Sequence, residues 1–278
     1  NVVGNILSGG TNLNDIFATR TGNVDGSGTA TYLPIWSDSD TIGNSIACES
    51  TGLLSVGGAL SAHNFCASDS LNNQKWGYNA LASNTTGEFN NAIGRYALGN
   101  NTTGCYNNAM GPFALQYNTT GCYNTALGQC ALNWGGCHNT AIGYESLLSN
   151  TTGAYNTAIG YESLLSNTTG MDNNALGRCA LRGNTTGCYN TALGYRALYT
   201  SLSGCDNFAV GRSALYSNWG GCHNAAIGCG ALCGNTTGTD NTAIGWGALK
   251  ANTTGGCNTA IGCYALYNNE SGTNNTAL

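Results

Sequence analysis

The chain has 278 residues, of which only 8% are charged against about 25% in an ordinary globular protein, and Gly supplies 42 of them. With 8 basic and 13 acidic residues the formal charge is −5, so there is no basic patch for nucleic acid, and no apolar run approaches the ~18–20 residues of a membrane span. Hydrophobic residues still make up 41% and recur at regular intervals, which argues for a packed core and against disorder.

Residues 1–73 come first and show no internal period. Strand-like pieces alternate there with Gly, Asp and Ser, and Pro34 is one of only two prolines, so this part reads as a small β-rich connector. No charged-then-apolar leader opens it. The chain starts at Asn1 without a Met and stops at "NNTAL" partway through a unit, so it reads as an internal piece of a longer polypeptide.

From 74 to 278 the chain repeats. The glycines of "AIG" or "ALG" fall 17 residues apart from Gly77 to Gly262, except between Gly128 and Gly143, where the spacing is 15 because "NWGG" (Asn133–Gly136) replaces six residues such as "QYNTTG". The consensus unit is N-[TN]-A-[IL]-G-x-x-A-L-x-x-N-T-T-G-x-x, and its first Asn recurs at every copy from Asn90 to Asn275. Helical-pair repeats need ~33 residues or more and propeller blades ~40, so the unit fits one coil of a β-solenoid with two short strands and two turns. Twelve coils at about 4.8 Å each make a rod about 55–60 Å long. The segment Asn139–Gly153 reappears letter for letter as Asn156–Gly170, and in a quasi-one-dimensional protein such copying adds length without disturbing anything else.

Within "NTAIG", strand alternation sets Thr and Ile on one face and Asn and Ala on the other. The Leu column (Leu81, Leu98, Leu115 and successors) is expected to face the Ile/Leu column across the core. Gly160 and Gly170 mark corners, and "NTT" supplies turn chemistry. Ala92, Ala109, Ala126 and Ala141 look too small for an idle outer face, and small residues let another backbone approach. We therefore expect parallel chains packed side by side as a homotrimer, in preference to a small interior within a narrow single-chain solenoid.

A resemblance then becomes specific. "LSGGTNLNDIF" followed by "GNVDGSGTATYLPIWSDSDTIGNSI" resembles the connecting segment of tail-fibre proteins of tailed bacteriophages, marine ones especially, where it precedes arrays of "NTALGYxALxxNTTG" units. The likeness covers essentially the whole chain. It implies a homotrimeric structural virion protein, in contact with other tail or fibre proteins and with a host surface glycan or protein receptor. It also implies folding in the host cytoplasm and an extracellular life after release. The repeat alone is similar to the head repeats of trimeric autotransporter adhesins, whose unit is shorter, and to glycoproteins of large algal viruses, so a trimeric bacterial or algal-virus adhesin is the alternative. Phage fibres of this kind often end in a cleaved trimerising chaperone module, and none is visible in this sequence.

The remaining chemistry is sparse. Cys105, Cys122 and Cys137 share one column, as do Cys188, Cys205 and Cys222; in a reducing cytosol we read them as buried thiols acting as small apolar residues, over disulfide staples. "WGGCHN" occurs twice, at Trp134–Asn139 and Trp219–Asn224. Only a trimer axis could gather copies of His138 or of His223 into a metal site, and a variant turn capped by Trp is preferred, so no metal or other cofactor is expected. Eight "NTT" triplets are formal glycosylation acceptors that turn geometry already explains. His63, His138 and His223 keep no catalytic company, Asp38 and Asp40 read as solvated turn residues, and Glu145 and Glu162 are copies of one position, so the chain is not expected to be an enzyme. Trp134, Trp219 and Trp246 are the candidate surface contacts. An ice-binding solenoid remains a rival through the Thr85, Thr102 and Thr119 column, although such faces need Thr directed outward from a strand and "NTTG" reads as a turn.

Overall fold

The structure, a computed structural model, describes residues 71–278, together with the backbone of seven short strands before them. The chain divides into two units, Asn1–Cys66 and Ala67–Leu278. In the first, β1 (Leu7–Ser8) pairs antiparallel with β2 (Thr11–Asn12), and β4 (Ile35–Trp36) with β5 (Ile42–Gly43). The strands β3 (Thr31–Tyr32), β6 (Ala47–Ser50) and β7 (Leu53–Val56) form an antiparallel sheet in that order. The side chains behind the connector reading, Pro34, Asp38, Asp40 and His63 among them, lie outside the described residues.

The second unit is a parallel β-solenoid. Its one sheet has 13 strands in sequence order: β8 (Gln74–Trp76), β9 (Asn91–Ile93), β10 (Asn108–Met110), β11 (Thr125–Leu127), β12 (Thr140–Ile142), β13 (Thr157–Ile159), β14 (Asn174–Leu176), β15 (Thr191–Leu193), β16 (Phe208–Val210), β17 (Ala225–Ile227), β18 (Thr242–Ile244), β19 (Thr259–Ile261) and β20 (Thr276–Ala277). Each strand pairs in register with the same unit position of its neighbour, so the duplicated segment stacks Thr140 on Thr157, Ala141 on Ala158 and Ile142 on Ile159. Each coil carries one short strand, of three residues in β8 to β19 and two in β20, where two strands were expected. The rest of the coil is a series of turns, yet it pairs coil to coil just as the strand does, through bonds such as Leu98 N–H to Ala114 O (3.0 Å) and Tyr106 N–H to Glu88 O (3.0 Å).

The two faces of the strand are exchanged relative to expectation. Asn and Ala point inward and Thr and Ile outward: Ala158 is wholly buried, whereas Ile159 is exposed. The core is the Ala column of the strands, a second small column (Ala97, Ala114, Ser163) and the Leu column. Ala is therefore the residue that fits inside a narrow coil, and the small-residue argument for neighbouring chains falls.

What replaces Ile inside is a hydrogen-bonded carboxamide. Asn156 Oδ1 accepts the backbone N–H of Asn173 (3.0 Å) and its Nδ2 (3.1 Å), while Asn156 Nδ2 donates to Gly170 O (2.8 Å). This pattern recurs from Asn73 to Asn275. The Asn of "NTTG" forms a second ladder: Asn167 Nδ2 donates to Asn150 Oδ1 (2.7 Å) and to Gly170 O (3.0 Å). Buried amides cost about 1–3 kcal/mol each when unpaired, so every rung requires the coil beside it. Coils must therefore approach closely. A Cβ on Gly160, whose φ is +133°, would sit 2.6 Å from Gly177 O, and one on Gly170 would collide with Gly187 O and the Asn167 carboxamide. The same compactness holds Leu164 at φ 49°, a left-handed conformation that costs an L-residue roughly 1–2 kcal/mol and that no sequence rule anticipates. Complete burial of its side chain, contributing about 1.5–3 kcal/mol, offsets that strain.

The second ladder is interrupted at the short coil and again at Ser201, where Asn184 Oδ1 and Ser201 Oγ are buried without partners. Ser201→Asn should bond Asn184 on one side and Asn218 on the other, raising stability by about 1–2 kcal/mol in thermal or denaturant unfolding. Gly170→Ala should lower it by about 1–3 kcal/mol in the same assay through overpacking.

Candidate functional surfaces

One continuous outward feature is the sheet face. Ile93, Met110, Leu127, Ile159, Leu176, Ile227, Ile244 and Ile261 form an apolar column 36–45% exposed, with a strand-borne Thr column beside it at Thr125, Thr140, Thr157, Thr191, Thr242 and Thr259. Asn174, Phe208 and Ala225 interrupt the Thr column. The Thr85, Thr102 and Thr119 column instead lies in the turns, with Thr85 Oγ1 donating to Thr102 O (2.9 Å) and Thr102 Oγ1 to Thr119 O (3.0 Å).

Just before each strand stands a column in the left-handed region, and its aromatic members stack. Phe89, Tyr106, Tyr123, His138 and Tyr155 follow one another with ring centroids 4.8–5.0 Å apart and planes within 10°. His138 is thus one plate in an aromatic stack, a neighbourhood the sequence reading missed although the rings recur at the repeat spacing. His223, in the same column, lies between Asp206 (3.8 Å) and Asp240 (3.6 Å). Among the described residues no group of three or more His, Cys, Asp and Glu is placed to hold a metal ion.

After the strand a mixed column runs through Tyr144, Tyr161, Arg178 and Tyr195. Tyr144 and Tyr161 stack at 5.3 Å, and the Arg178 guanidinium lies 5.6 Å from the Tyr161 ring and 5.8 Å from Tyr195. A hydrogen bond to Glu145 pushes the Tyr144 phenol up to about 12. Glu162 pairs with Arg182 at 2.6 Å, and that bond holds its carboxyl below the ordinary range. Glu145 and Glu162 therefore serve their neighbours in the column.

The cysteines are also placed differently from expectation. Of the described ones only Cys179 is buried, and all are free thiols. Those of the two ladders are half-buried, and their sulfurs join coils: Cys105 N–H donates to Cys122 Sγ (3.1 Å), Cys188 N–H to Cys205 Sγ (3.2 Å) and Cys205 N–H to Cys222 Sγ (3.2 Å). Burial raises the thiols of Cys122, Cys130, Cys179 and Cys233 above their ordinary value.

The "NTT" asparagines are ladder members: Asn101, Asn118, Asn150, Asn167, Asn184, Asn235 and Asn252 are buried, so a glycan on any of them would have to break a rung. The three candidate tryptophans, Trp134, Trp219 and Trp246, are exposed. Trp134 packs on Tyr117 (4.9 Å) and Trp246 on Tyr264 (4.6 Å). Beside Trp134, where the short coil falls, lies an open depression of about 350 Å³ bordered by Asn118, Thr119, Thr120, Gly121 and Thr151. No helix among the described residues is long and apolar enough to cross a membrane. Comparison with protein-family models, curated proteins and solved structures gives no match to this chain.

Thiol reactivity follows thiolate fraction and access. Cys257 and Cys263 are exposed, so among the described cysteines they should react first with a maleimide at neutral pH and Cys179 last, as peptide mapping over a time course would show. Equal rates would contradict this arrangement.

Proposed function

We propose that the solenoid is the stiff shaft of a homotrimeric fibre of the phage tail-fibre type, which projects an attachment tip toward a host surface. The observation that carries this reading is the apolar column Ile93 to Ile261 on a continuous sheet face. Monomeric proteins rarely expose a contiguous apolar strip of this length. The column repeats at the strand spacing of about 4.8 Å, and the surface that matches such a period along its whole length is another copy of the same sheet. Stacking the copies side by side gives each shaft a second row of contacts along its axis. The resemblance of the N-terminal segment supports a phage fibre over the alternative, a trimeric surface adhesin, which would use the same face in the same way.

The strand-borne Thr column favours one second reading. Regular Thr directed outward from a flat sheet is what an ice-binding face requires, and Thr125, Thr140 and Thr157 meet that condition where the "NTTG" threonines do not. One surface cannot serve both purposes, because trimer contacts would cover it.

Light scattering should give three times the chain mass of 28.5 kDa, with and without reductant. The double variant Ile159→Lys and Ile227→Lys, changed only at exposed positions, should run as a folded monomer. A wild-type monomer that depresses the freezing point would replace the fibre reading with the ice-binding one.

A further inference from the structure

The depression beside Trp134 is a gap in the stacking pattern, and it leaves donors without acceptors. In several turns one carbonyl collects four donors: Thr119 O accepts the amides of Thr102 (2.9 Å), Thr103 (3.1 Å) and Gly104 (3.3 Å) and also Thr102 Oγ1 (3.0 Å). Thr168 O does the same for Thr151, Thr152 and Gly153. The amides of Thr119, Thr120 and Gly121, with Thr119 Oγ1, are the next such set, and the short coil lacks the threonine that would receive them. They have no protein partner among the described residues. Asn118 Oδ1 likewise receives no carboxamide from the following coil, whereas Asn101 Oδ1 accepts Asn118 Nδ2 at 2.9 Å. Since the amides equivalent to those of Thr119 and Thr120 bond the next coil in the other units, from Thr85 and Thr86 to Thr253 and Thr254, these two face the gap. The other copy of "WGGCHN" serves as an internal contrast: there the spacing is intact, and Thr236 O accepts the amides of Trp219 (3.0 Å) and Gly220 (3.0 Å).

We propose that this notch is a carbohydrate site for an N-acetylated hexosamine. The position left open is that of an amide carbonyl oxygen, and the acetamido carbonyl is the sugar substituent that reproduces it. No Lys or Arg lines the notch, so nothing there balances a carboxylate or sulfate, and a neutral acceptor fits better than an anion. The Trp134 indole, 52% exposed, supplies an apolar wall for the pyranose ring, and Asn118 Oδ1 is an acceptor for a sugar hydroxyl or the acetamido N–H. The bordering residues belong to turns, not to the sheet face, and all come from one chain, so the site does not depend on the fibre reading.

The test is calorimetric titration of the full chain with N-acetylglucosamine and N-acetylgalactosamine, with glucose and glucuronate as controls. At least one N-acetylated sugar should bind, and glucose should bind about tenfold more weakly or worse, the loss expected for leaving the amides unpaired. Inserting Asn-Thr between Trp134 and Gly135 restores the 17-residue coil while keeping the indole; this variant should remain folded and lose binding. Trp134→Ala should weaken binding about tenfold, and Trp219→Ala should leave it unchanged. Absence of binding at millimolar sugar, equal affinity for glucose, tighter binding of glucuronate, or undiminished binding by the insertion variant would each overturn the proposal.

Discussion

A buried carboxamide must find its partners in the adjacent coil, and the rest of the solenoid follows from that requirement. Asn156 cannot be satisfied within its own unit: its Oδ1 needs the backbone N–H of Asn173 and its Nδ2 needs Gly170 O. Thirteen strands in register are the geometric consequence. Coils drawn this close exclude side chains at Gly160 and Gly170, admit only Ala or Ser beside Leu in the interior, and hold Leu164 in a left-handed conformation that isolated chains avoid. Because each coil touches only its neighbours, the account applies unit by unit, and the duplicated fifteen residues are stacked as additional length.

Filling the interior with Asn, Ala and Leu displaces the larger branched residues to the outside. That exchange is what gives the molecule its apolar outer face. A solenoid with Ile inside would present an outer face of Asn and Ala and little reason to associate, whereas this one presents a long apolar strip flanked by threonine. The columns on either side of the strand, stacked rings on one and interleaved Arg and Tyr on the other, are ordered by the same register and need no separate cause. Irregularity is then the informative event. Where two residues are missing near Trp134, the lattice of inter-coil bonds opens and leaves donors that a ligand oxygen can reach.

The period, the coil class and the role of the glycines were legible in the sequence, since the Asn and Gly spacing admits few other folds. The facing of the strand was not. Alternation separates Asn and Ala from Thr and Ile but is symmetric about the sheet, and hydropathy favours the wrong side; what decides is that a carboxamide ladder is satisfied inside a narrow coil and that Ile is too large for it. The single strand per coil was missed because turn residues here pair between coils as strands do. The cysteines read as apolar filler because composition does not reveal that Cys122 Sγ receives an amide from Cys105. At the notch the sequence shows only a unit two residues short; its donors become visible only when the coils on both sides of the gap are placed in register.

The most direct measurement is hydrogen exchange of the asparagine side-chain amides by NMR on the folded chain. The account predicts that the ladder carboxamides, Asn156, Asn173 and Asn190 among them, exchange as slowly as the backbone amides of the strands they adjoin, while exposed Asn174 exchanges rapidly. Rapid exchange of the ladder amides in a protein whose backbone remains protected would contradict it, because the coils would then be held together without the bonds on which the period, the glycines and the outward face depend.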